Sequence, residues 1–260
     1  MPAPVEAIER YLQVGATPRD ARVSVVFVIA MAAFTACAAA PSGGTATQEP
    51  TSAASASATA TETPGQTLTY SAAVQDLVPG SYSIPPGNYS PAKLTFTMPA
   101  GWDVQYLGFS KHRDEPNELG LATWIVTHVY TDTCEAEGEL VPIGATVDDL
   151  VNALEALGGA LVSPAVETTV DGYPAKRVDL AMAEDIDVAD CRVPALQIWA
   201  NPGETDFYAR GPGAIDSVYV MDVEGETLAL SAGHMTTSSA SDVAELDEII
   251  ASIQIEAVTP

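Results

Sequence analysis

The sequence is poor in positive charge, in histidine, in cysteine and in long apolar runs, and each shortage excludes something. Only 10 of 260 residues are Lys or Arg, against 35 Asp or Glu, giving a formal net charge of −25. Nucleic-acid binding depends on Lys and Arg neutralising phosphates, so that class of partner is excluded. So acidic a surface also repels anionic lipid, and its ordinary consequence is solubility. The three histidines and three cysteines form no pair at short metal-ligand spacing, so no zinc site is expected and no metal ligand is assigned. No Gly-x-Ser-x-Gly elbow is present either. His112-Arg113-Asp114 has the form of a kinase catalytic tripeptide, but neither the glycine-rich loop nor the metal-binding tripeptide accompanies it, so it reads as a solvated loop.

What the chain does have is one short apolar run, Val23 to Ala36, ending at Cys37. Arg19 and Arg22 flank it, and Val25 to Ile29 form its centre, the layout of an export signal over residues 1–36. Phe34-Thr35-Ala36-Cys37 is close to a lipid-attachment signal. The thiol would accept a diacylglyceryl group, and the small Ala36 permits cleavage just before it, although Phe34 stands where Leu is usual. Cys37 is therefore the expected lipidation site. Two other fates stay open: an ordinary secreted protein and an uncleaved anchor, since Val23 to Ala40 lies near the lower limit of about 17–25 residues for crossing a bilayer. The long lead from Met1 to Asp20, which carries Glu6 and Glu9, would be explained by an over-extended gene start.

Residues 38–65 are nearly all Ala, Ser, Thr, Pro, Gly or Glu, a tract that cannot bury enough apolar surface to offset chain entropy. A disordered linker is expected, with an end-to-end reach of roughly 30 Å. Setting Cys37 aside leaves Cys134 and Cys191, which in an oxidising compartment would form a disulfide. Closing their loop of about 58 residues would contribute roughly 4 kcal/mol in the chain-entropy account. Two free thiols are the alternative.

Residues 66–90 read as a transitional segment with turn signals at Pro79-Gly80 and Pro85-Pro86-Gly87, and with Tyr82 and Tyr89 packing onto the globular domain. That domain is expected over 91–257, long enough for its own core. Strands are expected at Leu94–Met98, Val104–Phe109, Leu121–Tyr130, Val166–Val170, Tyr173–Met182, Ala195–Ala200, Asp206–Arg210, Ser217–Val223 and Thr227–His234. Asp171-Gly172 and Glu224-Gly225 are hairpin turns. Thr146 with Asp149 makes a capping box before an apolar stripe of Val147, Leu150, Val151, Leu154 and Leu157. A second helix starts near Ser239 or Ser241 and turns Val243, Leu246, Ile249, Ile250 and Ile253 inward. The expected class is α+β, an antiparallel β-sheet covered by helices.

Leu94-Thr95-Phe96-Thr97-Met98-Pro99-Ala100-Gly101-Trp102 looks like the opening strand of a known family, ending in Pro-x-Gly-Trp. Val170-Asp171-Gly172-Tyr173-Pro174-Ala175-Lys176 looks like its central hairpin, and Asp247-Glu248-Ile249-Ile250-Ala251-Ser252-Ile253 like its closing helix. On these pieces the chain, over about Leu94 to Glu256, resembles the PsbP-like domains, including the LpqN-type bacterial lipoproteins. The resemblance implies an α/β/α sandwich and a non-enzymatic binding or assembly role. No functional motif of the family is matched, so no site residue carries over.

The remaining candidates are few. His128 alternates with Trp124, Val126 and Tyr130 and reads as a packed residue; His234 ends a strand and reads as surface or edge. Glu184, Asp185, Asp187 and Asp190 form an acidic group that could attract Ca²⁺ but lacks the glycine and terminal Glu of an EF-hand loop. Trp124/Tyr130, Trp199/Phe207/Tyr208 and Tyr219 could line a groove or fill a core. No catalytic residue and no cofactor is assigned. The functional expectation is a lipid-anchored module on the outer face of the cell membrane, binding an envelope protein, a glycan or a small apolar ligand. The alternative is an extracytoplasmic hydrolase with a His/acid site, which a histidine clustered with a Ser and a carboxylate in a cleft would favour.

Overall fold

The computed structural model describes residues 65–134, 139–201 and 207–257. The apolar run Val23–Ala36, Cys37 and the tract 38–64 lie outside the described residues. The first strands are β1 (Gln66–Thr67), β2 (Gln75–Asp76), β3 (Gly80–Ile84), β4 (Lys93–Met98), β5 (Trp102–Gln105) and β6 (Gly108–Lys111). Next come β7 (Leu119–Trp124), β8 (His128–Tyr130), β9 (Leu140–Pro142) and the helix α1 (Val147–Glu155). β10 (Ala160–Val162), β11 (Val166–Val170), β12 (Tyr173–Met182), β13 (Leu196–Ala200) and β14 (Phe207–Arg210) come after it. β15 (Ala214–Val223), β16 (Glu226–Met235), α2 (Ala240–Ala251) and β17 (Gln254–Glu256) complete the described part.

Nine strands form a central sheet in the order β10-β12-β15-β16-β7-β6-β5-β2, with β11 also on β12. Its middle strands are β15 and β16, and side chains alternate between its faces with the period of two that a strand imposes. One face carries Tyr219, Met221, Val223, Leu228, Leu230 and Ala232, packed with Leu246, Ile249 and Ile253 from α2 and its C-terminal end, and with Leu94, Phe96 and Met98 of β4. The other carries Val178, Leu180, Val218, Val220 and Ala229, packed with Leu150, Val151 and Leu154 of α1 and with Leu196, Ile198 and Trp199 of β13. Because both faces are covered, β15 and β16 read as nearly continuous apolar runs.

The cover is therefore shared. A four-stranded sheet β1-β3-β4-β17 lies beside α2, and another, β14-β13-β8-β9, lies beside α1. The α+β class and antiparallel pairing stand, but the expected helix-covered sandwich is corrected to a β-rich one in which each helix covers only part of a face. Two nine- to twelve-residue helices are too short to span a sheet of nine strands spaced about 4.8 Å apart.

Local chemistry accounts for the elements. Thr146 Oγ1 accepts from the Asp149 backbone N–H while Asp149 Oδ2 accepts from the Thr146 N–H, a complete capping box for α1. Ser239 caps α2 by accepting from the Asp242 N–H. Asp171-Gly172 and Glu224-Gly225 all have positive φ, as the tight hairpins β11–β12 and β15–β16 require. The segment 66–90 contributes three strands, and Tyr82 and Tyr89 pack onto the first core face.

Four expectations are revised. Val104–Phe109 is not one strand but a hairpin: β5 ends at Gln105 and β6 begins at Gly108. The turn between them gives no signal in the sequence, because its two positions, Tyr106 and Leu107, are not glycine, proline, Asn or Asp yet take positive φ. Leu121–Tyr130 is not one strand: β7 ends at Trp124 in the central sheet, and β8 begins at His128 in the sheet of β13. Asn201 holds the break, its side-chain amide donating to the Ile125 carbonyl and its Oδ1 accepting from the Thr127 N–H. His128 accordingly does not share a face with Trp124; it is half-buried with Nδ1 3.0 Å from Thr127 Oγ1. His234 lies on β16, between β15 and β7, rather than at an edge.

Candidate functional site

Six aromatic rings form an unbroken row from the surface to the core. Tyr106 contacts Tyr70 at 5.4 Å between centroids, and Tyr70 stacks on Tyr89 at 5.7 Å and 14°. Tyr89 meets the edge of Trp124 at 5.6 Å. Trp124 in turn contacts Trp199 at 6.4 Å and Tyr208 at 6.1 Å, and these two stack at 4.4 Å. All lie within or at the border of the range, about 4.5–7 Å, where ring pairs add to simple area burial. Tyr70 is 50 % exposed and Tyr106 beside it half-buried; inward from Tyr70, Tyr89 and Trp124 are half-buried and Trp199 is fully buried.

The backbone presents the outer rings at a local cost. Tyr106 and Leu107 form the two-residue turn between β5 and β6 and both have positive φ, at 51° and 63°. A non-glycine residue in that region costs about 1–2 kcal/mol. The turn is held by the Tyr106 N–H donating to the Ser71 carbonyl and by Gln105 Nε2 donating to the Ala72 carbonyl, which draws the Tyr70 segment alongside. At the inner end the indole N–H groups of Trp124 and Trp199 are buried and lack an acceptor among the described residues. A buried donor in that state costs about 1–3 kcal/mol. The row thus combines flat apolar faces at the surface with two buried indole donors at its inner end.

The row ends on a buried polar cluster. The Tyr208 hydroxyl makes a short hydrogen bond with Ser231 Oγ and lies beside the wholly buried Asp216. Arg210 Nε sits 3.1 Å from Asp216 Oδ1, an ion pair whose angles fall outside those of a hydrogen bond. Burial pushes the Asp216 carboxyl up, against the pull of Arg210, of the Tyr208 hydroxyl and of His234. Burial also pushes the Tyr208 hydroxyl up, helped by the Asp216 charge. Gly233 and Gly120, partners across β16 and β7, are the floor under this pair. A Cβ at Gly233 would overlap Asp216 Oδ1 and Arg210 Nη2, and one at Gly120 would come within 3.3 Å of Arg210 Nη1.

A nucleophile and base are not brought together by these groups. Ser231 Oγ is engaged by Tyr208, and His234 Nδ1 lies 3.0 Å from the Met235 carbonyl. His112 sits near Asp242 and Glu115, at 3.7 and 3.8 Å. Its neighbour Lys111 bridges Asp242 at 2.7 Å and Glu245 at 2.8 Å, and Glu245 also accepts from the Trp102 indole, so this group fastens α2 to β5 and β6. Cys134 and Cys191 are joined in a disulfide. In the acidic group, Asp187 accepts from the Ala189 N–H to cap a single 3-10 turn. Among the described residues no group of three or more His, Cys, Asp or Glu converges as metal ligands. No helix among them is long and apolar enough to cross a membrane.

Of the aromatic groups read from the sequence, Trp124, Trp199 and Tyr208 do meet. Tyr130 turns to Arg192 and Gln197 instead, Tyr219 lies on the opposite face, and the Phe207 side chain is outside the described residues. Tyr70 and Tyr106 were not singled out by the sequence; an aromatic in a chain segment with almost no charge is the signal that could have flagged Tyr70.

No family model and no curated protein matches the chain. Solved structures do. The crystal structure of LpqN, involved in cell envelope biogenesis of Mycobacterium tuberculosis, is 12 % identical over 70 % of this chain and 91 % of its own, with a TM-score of 0.37. The solution structure of cyanobacterial PsbP (CyanoP) from Synechocystis is 11 % identical over 71 % and 93 %, with a TM-score of 0.34. A Bacteroides thetaiotaomicron protein is 8 % identical over 63 % of this chain and 45 % of its own, at 0.31. LpqN and a PsbP protein, the names under which the resemblance is read in the sequence, are thus among the similar solved structures.

Proposed function

We propose that the chain is an extracytoplasmic binding module, held on the outer face of the cell membrane by lipid on Cys37, and that its ligand lies along the aromatic row. The apolar run ending at Cys37 supports the address, and the Cys134–Cys191 disulfide suits an oxidising compartment. LpqN is described as taking part in cell envelope biogenesis, and the envelope-associated role proposed for this chain does not depend on that likeness. The observation that carries the binding reading is the half-exposed Tyr70 at the head of an unbroken run of ring contacts into the core. Flat rings in a stretch with a single charged residue fit a neutral ligand with an apolar face. Anionic ligands are disfavoured by the chain's net charge of −25.

Titration of tryptophan emission tests this, with 1-aminoanthracene as a flat apolar probe and maltohexaose as a neutral glycan. Saturable quenching by either one supports the row as a site and tells the ligand classes apart. Tyr89→Ala should then weaken that binding by about tenfold, the loss of roughly one stacking contact of 1–1.5 kcal/mol. A flat titration with both probes, or binding untouched by Tyr89→Ala, overturns the reading.

A further inference from the structure

Five large apolar side chains stand about half exposed or more among the described residues, and three of them, Tyr70, Val74 and Val78, fall within nine positions of one another. They occupy the stretch 65–92, in which Asp76 is the only charged residue, although charged residues make up 17 % of the chain. The stretch is ordered rather than trailing. Gln75 pairs with Val104, the Leu77 N–H donates to the Trp102 carbonyl, and the Tyr82 hydroxyl donates to the Val78 carbonyl. Leu68 and Leu77 are buried beneath it. The result is an apolar rim along the outer edge of β5, with Tyr106 beside Tyr70 and one exposed acid, Asp76, between Val74 and Val78.

We infer that this rim rests on the lipid surface, with Tyr70, Val74 and Val78 in the headgroup region of a neutral bilayer. The inference rests on the tether proposed at Cys37. That cysteine lies 28 positions before Gly65, and Gly65 lies only five before Tyr70, so the chain leaving the membrane enters the domain at the rim. As a random coil, a segment of that length would reach roughly 30 Å. Within such reach a weak contact becomes an intramolecular one with a high effective concentration. The chemistry suits the place: tyrosine rings favour the membrane–water interface, with an apolar body and a polar tip. Charge selects the same face. A protein of net charge −25 is repelled by anionic headgroups, so a surface nearly free of acids is the part that can approach lipid. With the rim down, the head of the aromatic row opens at the lipid surface.

The test uses the full acylated chain on phosphatidylcholine vesicles, with an environment-sensitive NBD label at Val74→Cys and, separately, at Leu161→Cys on the far edge strand. Labelling without reductant leaves the Cys134–Cys191 bridge intact. The label at position 74 should shift to shorter wavelength and be quenched by doxyl-labelled lipid, and the label at 161 should do neither. Adding Tyr70→Asp and Val78→Asp should return the label at 74 to its emission in water while the protein still co-sediments. Replacing part of the lipid with phosphatidylserine should weaken the shift. A label at 74 that stays in water on co-sedimenting vesicles overturns the rim, as does an equal shift at both positions. Protein that fails to co-sediment overturns the tether, and the rim falls with it.

Discussion

Gly233→Ala adds one methyl group where the structure has no room for it. A Cβ there would overlap Asp216 Oδ1 and Arg210 Nη2 and come within 2.9 Å of Arg210 Cζ. The glycine has no positive φ to preserve, and alanine suits a strand at least as well, so the backbone predicts no loss. Everything depends on the ion pair. Asp216 is fully buried and cannot retreat into solvent, whereas the Arg210 side chain is 14 % exposed and can swing outward. Opening the pair leaves a buried carboxylate without its counter-ion, which costs about 3–5 kcal/mol. The partial exit open to Arg210 points to the lower end, about 3 kcal/mol. Urea unfolding of the oxidised protein should therefore show a midpoint lowered by roughly 1.5 M, for a slope of about 2 kcal/mol/M. Tryptophan emission and circular dichroism should give the same transition. Gly80→Ala is the control, since its nearest neighbour would be the Val78 carbonyl at 3.9 Å, and it should be neutral. Asp216→Ala/Gly233→Ala should be little worse than Asp216→Ala alone, a coupling of at least about 1 kcal/mol. A Gly233→Ala midpoint equal to that of the native chain, or strictly additive losses, would refute the argument.

Three further contacts carry expected outcomes of their own. Replacing Cys134 and Cys191 together by serine opens a loop with a sequence separation of 57 and should cost about 4 kcal/mol in the chain-entropy account, read as a lower urea midpoint. Thr146→Ala removes the acceptor for the Asp149 N–H and should cost about 1 kcal/mol in the same assay, with Thr146→Ser restoring most of it. Asp242 is held below its ordinary value of 3.8 first by its hydrogen bond to Lys111 and then by Ser239. A depressed carboxyl contributes stability that is present above 3.8 and lost as pH falls through the folded value, so melting temperature should drop below about pH 3.8 and Asp242→Asn should flatten that acid limb. An acid limb identical in both proteins would remove Asp242 from the explanation.

What was legible in the sequence was local. The Thr146/Asp149 cap, the stripe through Leu150 and Leu154, and the Asp171-Gly172 and Glu224-Gly225 turns each depend on residues within a few positions of one another. Leu121 to Tyr130 failed for a physical reason. Every residue from Trp124 to His128 tolerates a strand, so nothing local marks the change of sheet, which is held by Asn201 from more than seventy positions away. The aromatic row is less local still, joining Tyr70 and Tyr89 to Trp199 and Tyr208. The Asp216–Arg210 pair gave a faint signal, an acid inside the apolar run of β15, but its meaning needs the bare glycines of two neighbouring strands. Pairings of this kind depend on sheet register, which binary pattern constrains without naming the partners.

The proposed tether would put the disulfide on the oxidising side of a membrane and the apolar rim against its surface. The direct measurement is the mass and acylation of the mature chain from the membrane fraction of cells fed an alkyne fatty acid. The account predicts an amino terminus at Cys37 carrying the label, no peptide from Val23 to Ala36, and loss of label in Cys37→Ser. An unlabelled protein that retains the Val23–Ala36 peptide would contradict it.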